Sequence, residues 1–331
     1  MQSHEYDFKA AELARLLALP LGPVLVFAGL LHLGAFTRLW PAPRPTGNTD
    51  QTVLIHQAEA SRARHDADLV FIGDSSCLMD VSVDGLEAAL PGHRALNLGT
   101  LSYLDLQAYA AMLDHYVAAN PNRLRAVVVL LHPEMLRGIK AVPQHLATLE
   151  AFYAGADVFD TSTVRGWLSG LLGLEILNGR LLNRILPSPL PRHYGQFYGF
   201  TADLDQYLTQ HRGHAADPNQ FTRQAGQGSA EYRLAPRLEA GSRVIRAAVP
   251  PGVKLLIGVT PVPESFTPPE YAARHRQMLA QWSHWMQADA TLSDLPPALP
   301  DAECASITHL NETGARRYSE ILARSLEHHL R

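Results

Sequence analysis

The strongest structural signal in this chain is Leu69-Val70-Phe71-Ile72-Gly73-Asp74-Ser75-Ser76. Its four apolar residues, stopped by a polar turn, are typical of a buried parallel strand. Open parallel sheets bind ligands at the carboxyl ends of their strands. Ser75 is therefore a candidate nucleophile, and the N–H groups of the following turn could hold an oxyanion. Gly, Asp and Ser are also ordinary turn and capping residues, so the turn alone leaves both interpretations open.

Further apolar runs predict three more strands, at 95–99, 126–131 and 254–259. Strands that alternate with helices predict a parallel, doubly wound α/β sheet. Gly99 would then end the second strand at the same edge of the sheet as Ser75. The pattern also predicts helices over 52–67, 104–119, 236–248, 271–286 and 312–330.

About 120 residues separate the third and fourth strands, far more than a single crossover needs. Residues 138–232 are therefore predicted to be an insertion or cap. A leucine-rich helix candidate at 164–185 could pack on the core, cover the site or contact a membrane partner. An aromatic cluster at 194–200 is typical of core packing, although aromatic faces also stack on sugar rings.

The amino-terminal segment from Leu16 to Phe36 is almost free of charge and long enough to cross a bilayer as one helix. It lacks a convincing signal-peptide cleavage site, which favours a retained anchor. Pro20 and Pro23 keep an in-plane or cleaved segment open as alternatives. Charge determines the orientation poorly, and a short cytoplasmic tail with an exported body is the simpler topology.

The predicted organisation is a tail and membrane anchor at 1–40, a linker at 41–52, and one α/β domain at 53–331 that contains the insertion. In a bacterial cell the anchor would lie in the inner membrane and the body in the periplasm.

Composition excludes several function classes for this chain of 331 residues. The formal net charge is −4 and there is no Lys/Arg block, so nucleic acid is not an expected partner. No Walker-type loop, CxxC or HExxH motif occurs, and the 16 histidines show no persuasive ligand spacing. We therefore expect no metal and no cofactor.

His309 lies just before the last predicted helix, with Asn311 as its N-cap candidate. In a doubly wound fold this loop also lies at the carboxyl edge, so His309 can face Ser75. A histidine within hydrogen-bond reach of a serine is a general base that makes the hydroxyl nucleophilic. The alternative is a loop histidine that only caps or packs.

These motifs together resemble the SGNH (GDSL-type) hydrolase superfamily. The resemblance rests on Gly73-Asp74-Ser75, Gly99, and His309-Leu310-Asn311-Glu312-Thr313-Gly314 with Tyr318, and it covers about 68–131 and 254–330. It implies a three-layer α/β/α, flavodoxin-like sandwich with Ser75 as nucleophile and His309 as base. It also implies that the backbone N–H groups of Ser75 and Gly99 hold the oxyanion.

Two departures from the family pattern concern the catalytic machinery. The family places an aspartate three residues before the histidine, where this chain has Ser306. Asp301, Glu303 or Glu134 could supply the orienting carboxylate, a backbone carbonyl could orient the ring, or the site could be degenerate. The family's oxyanion asparagine follows the third strand, where this chain has His132, which could donate a hydrogen bond or be an ordinary loop residue.

Cys77 and Cys304 are the only cysteines, and each lies close in sequence to a candidate catalytic residue. In an exported protein they could form a disulfide that ties the His309 loop to the Ser75 turn, or they could be two buried free thiols.

With its anchor, the chain looks like the membrane-tethered accessory proteins of bacterial cell-surface polysaccharide acylation, which work beside a membrane-bound O-acyltransferase. This resemblance implies an O-acyl transferase or esterase, with acetyl as the expected group, that acts on a polysaccharide through a Ser75 acyl-enzyme. The alternatives are an esterase for small or lipidic esters and a catalytically dead scaffold that binds glycan or a membrane partner. Ser306 is the best support for the scaffold.

Overall fold

The computed structural model describes residues 9–41, 49–101, 103–138, 140–155, 164–182, 189–222 and 234–331. The chain divides into two compact units. The body comprises Pro45–Leu149 and Pro187–Arg331, and the anchor unit comprises Met1–Arg44 and Glu150–Leu186.

A five-stranded sheet forms the centre of the body, and its strands follow one another from edge to edge as 95–97, 69–73, 126–131, 254–259 and 290–291. Each neighbouring pair in this sheet is parallel, which confirms the predicted parallel α/β class. The strands are β1 (Leu69–Gly73), β2 (Ala95–Asn97), β3 (Ala126–Leu131), β4 (Lys254–Val259) and β6 (Ala290–Thr291), and a separate parallel pair joins β5 (Val262–Pro263) to β7 (Ala298–Leu299).

The central strands read as continuous apolar runs because helices cover both faces of the sheet. Leu69, Phe71 and Val128 belong to a core cluster on one face, while the alternating residues Val70 and Val127 are equally buried. The helices of the body that pack around the sheet are α2 (Thr49–Arg62), α3 (Ser75–Asp80), α4 (Val83–Ala89), α5 (Leu106–Ala119), α12 (Arg237–Ala248), α13 (Tyr271–Met286) and α14 (Glu312–Leu330). Shorter helices lie in the connections, at α6 (Pro133–Arg137), α7 (Pro143–Ala154), α10 (Arg192–Gly195) and α11 (Thr201–Gln210).

The strand register places three loops level with one another at the carboxyl edge. Gly73 is paired with Leu130, and Leu130 with Gly258. Because the strands are parallel, the residues two positions further on lie at the same level in adjacent strands. These residues are Ser75, His132 and Thr260. From β1 the chain adds β2 on one side of the sheet and the later strands on the other side. Doubly wound sheets leave a crevice for ligands at such a change of direction, here between β1 and β3.

The anchor unit is built from two distant segments of the chain. Its first element, α1 (Ala10–Phe36), is long and apolar enough to span a membrane. The second segment contains α8 (Val164–Leu171), α9 (Leu174–Ile176) and a π-helical turn at Leu177–Leu182.

The prediction of one continuous helix over 164–185 is wrong, because Gly173 has a φ of +68° and ends the first helical segment. Residues 183–185 lie outside the described residues. The stretch 138–232, predicted as one insertion, contributes to both units. Of the predicted linker, 42–48 lies outside the described residues, and α2 begins at Thr49.

Candidate active site

Ser75 is the first residue of α3, directly after β1. Asp74 caps this helix, since its Oδ1 accepts hydrogen bonds from the N–H of Ser76 at 2.9 Å and from the Ser76 hydroxyl at 2.6 Å. The N–H of Ser75 precedes the internal hydrogen bonds of the helix. The turn therefore presents the Ser75 hydroxyl at the carboxyl edge of the sheet.

The Asp74 carboxylate is fully buried and joins the loops after neighbouring strands. Its Oδ2 accepts the N–H of His132 at 2.9 Å, and Thr260 donates to the Ser76 hydroxyl at 2.7 Å. Burial raises the pKa of Asp74, and the hydrogen bonds from Ser76 and His132 oppose that effect. This network fixes the nucleophile turn against β3 and β4.

His309 lies between Ser75 and a carboxylate that the sequence did not single out, Asp217. The Nε2 atom of His309 is 2.9 Å from Ser75 Oγ, and its Nδ1 atom is 2.8 Å from Asp217 Oδ2. With Asp217 ionised, Nδ1 carries the proton and donates it to the carboxylate, so Nε2 can accept the serine proton. The three side chains have the geometry of a serine nucleophile, a general base and an orienting carboxylate.

Asp217 is held in place by its neighbours and kept ionised. Its backbone bridges to Asn311, two residues after His309, and its Oδ1 accepts both the N–H and the side-chain amide of Asn219, at 3.0 and 2.7 Å. Burial would raise the pKa of Asp217, but hydrogen bonds from His309 and Asn219 and the attraction of His309 together lower it. A buried carboxylate with this set of donors suits the orienting role.

The His309 loop is shaped by Ser306, the residue three positions before the histidine. The Ser306 hydroxyl accepts the backbone N–H groups of Thr308 and His309 at 3.1 and 3.0 Å. One residue after the histidine, the N–H of Leu310 donates to Asp80 Oδ1 at 2.8 Å. Ser306 therefore folds the turn, while the contact with His309 Nδ1 comes from another segment.

The three carboxylates proposed from the sequence have other partners, which corrects that expectation. Asp301 Oδ1 accepts the N–H of Ser265 at 2.9 Å. Glu303 pairs with Arg317, and Glu134 pairs with Arg137 on the same short helix. Asp217 lies 92 residues before His309 along the chain, inside the predicted insertion. The only local signal was the turn-forming Asp217-Pro218-Asn219 after a short apolar run, which is too common to identify a catalytic group.

The predicted oxyanion donor Gly99 is engaged elsewhere in the structure. Its N–H donates to Asn97 Oδ1 at 2.8 Å, and the Asn97 amide donates to the carbonyl of Cys77 at 2.8 Å. A Cβ at position 99 would lie 2.5 Å from the backbone nitrogen of Leu78, so glycine is required for the close approach of this loop to α3. The position of Gly99 thus has a packing explanation, and the expectation of a free N–H there is not met.

His132 is buried near His309 and is neutral. Burial lowers its pKa to about 3, and the nearby His309 adds to the shift. Its Nδ1 accepts the N–H of Glu134 at 3.2 Å, which leaves the ring proton on Nε2. That Nε2 is buried, and the backbone of Ile307 partly opposes the lowering of the His132 pKa.

Cys77 and Cys304 are both buried free thiols in the structure, so the disulfide alternative is not realised. Burial raises the pKa of both thiols, that of Cys304 to about 12. Both belong to the core cluster between the sheet and α14.

The aromatic cluster of the insertion packs near the Asp217 segment. Tyr198 is buried, its hydroxyl donates to the carbonyl of Ala216 at 2.9 Å, and it accepts the N–H of the same residue. Ala215 donates to the carbonyl of Leu78 on α3 at 3.2 Å. The cluster therefore fixes the segment that carries Asp217 against the helix that carries Ser75.

A cavity of about 350 Å³ is lined by residues that are near the candidate triad in sequence, but its lining includes none of the three triad side chains. Its lining includes Glu312, three residues after His309, and His214, three residues before Asp217. Asp84 and Tyr207 add a carboxylate and an aromatic ring. Within the described residues, no group of three or more His, Cys, Asp or Glu side chains could hold a metal ion.

Comparisons of the chain with protein-family models, with curated proteins and with solved structures gave no match.

Proposed function

We propose that this protein is a membrane-anchored, SGNH-like serine enzyme that transfers or removes an O-acyl group, with acetyl as the expected group, on a cell-surface polysaccharide. The observation that carries the proposal is the continuous contact from Ser75 through His309 to Asp217. A buried carboxylate on Nδ1 and a serine hydroxyl on Nε2 together form the arrangement that activates a serine.

The reaction would begin when Ser75 Oγ attacks the carbonyl carbon of an O-acyl ester while its proton passes to His309 Nε2. The tetrahedral intermediate collapses, the bond to the leaving oxygen breaks, and His309 returns the proton to that oxygen. An acyl-enzyme on Ser75 remains. A sugar hydroxyl or water then gives its proton to His309 and attacks the acyl carbon, which releases the acylated sugar or the free acid and restores Ser75.

The oxyanion would be held first by the N–H of Ser75, since this group stands at the start of α3. Asp217 would stabilise the imidazolium that forms on His309 in each step, because its lowered pKa keeps it charged.

The sheet order supports the SGNH assignment, because counting its five strands along the chain gives 2-1-3-4-5, a flavodoxin-like order. Asp217 also removes the main argument for a dead scaffold, which was the serine at position 306. We therefore favour an enzyme over a scaffold.

The polysaccharide is proposed because of the cavity and the anchor. An aromatic ring and carboxylates facing one cavity suit a polyhydroxylated acceptor, which needs both an apolar face and hydrogen-bond acceptors. The span at α1 would hold the enzyme at the bacterial inner membrane with its body in the periplasm, beside a membrane-bound O-acyltransferase that could supply the acyl group.

The test is to treat the full chain in detergent with a fluorophosphonate and p-nitrophenyl acetate and to determine the intact mass. We expect one adduct and ester turnover in the native chain, neither in Ser75→Ala, and both in the control Ser293→Ala, which removes the hydroxyl of an exposed serine outside the site. A folded native chain without adduct or turnover would contradict the enzyme proposal. Acylated and deacylated glycans as second substrates would separate transfer from hydrolysis, and turnover only on small esters would favour the plain esterase.

A further inference from the structure

The second segment of the anchor unit packs on the carboxyl-terminal half of α1. Ala28, Leu31 and Ala35 are buried, at the i, i+3, i+7 spacing of one helix face. Leu31 and Ala35 form a small core cluster with Ile176, and Leu177 and Leu181 pack against it. These contacts place residues 174–181 alongside the end of the apolar span.

The polar groups at this contact are satisfied within the unit. His32, the strongly polar side chain of the span, has its Nε2 3.0 Å from the carbonyl oxygen of Gly170 and 3.2 Å from that of Leu171. These carbonyls lie in the last turn of α8, where helix carbonyls lack their usual donors, and that of Gly170 also accepts the N–H of Gly173 at 3.0 Å. Near the end of α1, Trp40 donates to the carbonyl of Leu31 at 2.9 Å. Such internal pairing is what a chain requires where water is excluded.

The other side of this segment is apolar and exposed. Within α8, the spacing of Val164, Trp167, Leu168 and Leu171 puts the exposed apolar side chains on one face. Exposed large apolar residues continue beyond Gly173. The exposed fractions are Val164 76%, Trp167 51%, Leu168 43%, Leu171 49%, Leu174 45% and Leu182 40%.

We infer that residues 164–182 form a second membrane-contacting element, an interfacial segment whose exposed apolar face lies in lipid beside α1. Lipid is the favoured occupant because the segment packs on a helix whose own Leu25, Leu30 and Leu33 are exposed and would require the same bilayer. Trp167 and Arg165 suit the interface, where tryptophan and basic side chains concentrate. This inference does not depend on the acyl chemistry proposed above.

The test places a nitroxide at Leu168→Cys in the full chain, reconstituted in vesicles of phosphatidylcholine and phosphatidylglycerol. The native thiols are buried, so the introduced cysteine is the reactive one. A label at Leu30→Cys, within the apolar span of α1, provides the reference accessibility for a lipid environment. Val244→Cys is the matched control, because Val244 is an apolar residue of the body that is 42% exposed, close to the 43% of Leu168.

We expect the label at 168 to behave as the label at 30 does, with collisions dominated by oxygen and protection from a water-soluble nickel chelate. The label at 244 should show the opposite ratio. Nickel accessibility at 168 equal to that at 244, with circular dichroism unchanged, would overturn the inference. It would instead indicate that this face awaits a protein partner, since the vesicles contain this chain alone.

Discussion

At the scale of single residues, the three side chains of the candidate triad are positioned by three separate sets of local contacts. The carboxylate cap of Asp74 places Ser75 at a helix start, the hydroxyl of Ser306 folds the turn before His309, and a backbone bridge to Asn311 sets Asp217. A serine at position 306 is therefore compatible with the contacts of the candidate triad. The Ser306 side chain folds the turn that carries His309, while Asp217 from another segment orients the imidazole ring.

The orienting role of Asp217 predicts a large effect of a small change. Asp217→Asn keeps the volume but replaces an ionised acceptor with a neutral amide, so it no longer fixes the tautomer of His309 or stabilises the imidazolium. We expect turnover of p-nitrophenyl acetate to fall by about ten-thousandfold, the loss seen when a serine protease loses the same carboxylate.

The matched control is Glu303→Gln, which alters a carboxylate proposed from the sequence but paired with Arg317. Its turnover should stay within about twofold of the native value. Equal losses in both variants, or near-native turnover in Asp217→Asn, would remove Asp217 from the mechanism.

Asp80 predicts a pH dependence of stability. Its side chain is fully buried, Oδ1 accepts the N–H of Leu310, and Oδ2 has no partner in the described structure. Burial raises its pKa well above the usual value; the Leu310 hydrogen bond opposes this, and Asp74 and Asp217 add to it. The folded state thus holds a proton that the unfolded state releases, so stability falls as pH rises from the ordinary aspartate pKa toward the raised one.

Asp80→Asn keeps an acceptor for Leu310 and does not ionise. We expect its free energy of unfolding to exceed that of the native chain increasingly above pH 4, by at most about 1.4 kcal/mol per pH unit, and the advantage to vanish below pH 4. Urea unfolding of both chains across pH 4 to 8 measures the difference. A constant difference at every pH would show that Asp80 does not change protonation on folding.

At the scale of elements, the sequence predicted the parts of the fold that local patterns determine. Apolar runs such as 126–131 and 255–259 became strands, the second preceded by the partly exposed Lys254, because the buried part of a strand covered on both faces carries no polar positions. The register then brought Ser75 and the His309 loop to one edge. Ser75 and His309 could be predicted from the sequence because each lies beside a recognisable strand end or helix start.

Two features depended on tertiary contacts and could not be predicted in this way. The leucine spacing over 164–185 is compatible with one helix, and the break comes at Gly173, where a Cβ would lie 3.1 Å from Leu31 of α1. Asp217 is likewise defined by the docking of its segment on α3 through Tyr198 and Ala215. Neither contact leaves a periodic signal in the sequence.

At the scale of the whole molecule, each unit is assembled from segments that are far apart in the chain. Leu31 and Ala35 on α1 cover Ile176, which is 1% exposed. Removing α1 would uncover this residue together with Leu177 and Leu181. Burying one such side chain contributes about 1.5–3 kcal/mol, so the loss is substantial for the small anchor unit.

A chain that begins at Thr49 should therefore aggregate or require detergent, although it keeps every residue of the triad. We expect a second truncated chain, in which 155–186 is also replaced by a flexible Gly-Ser linker, to be monomeric without detergent, because both halves of the anchor unit are then gone. Size-exclusion chromatography with light scattering separates the two results, and the fluorophosphonate adduct reports whether Ser75 is still activated. A monomeric, detergent-free chain from Thr49 with 155–186 intact would show that α1 is not needed to cover this segment, and the pairing of the two halves would then lose its energetic basis.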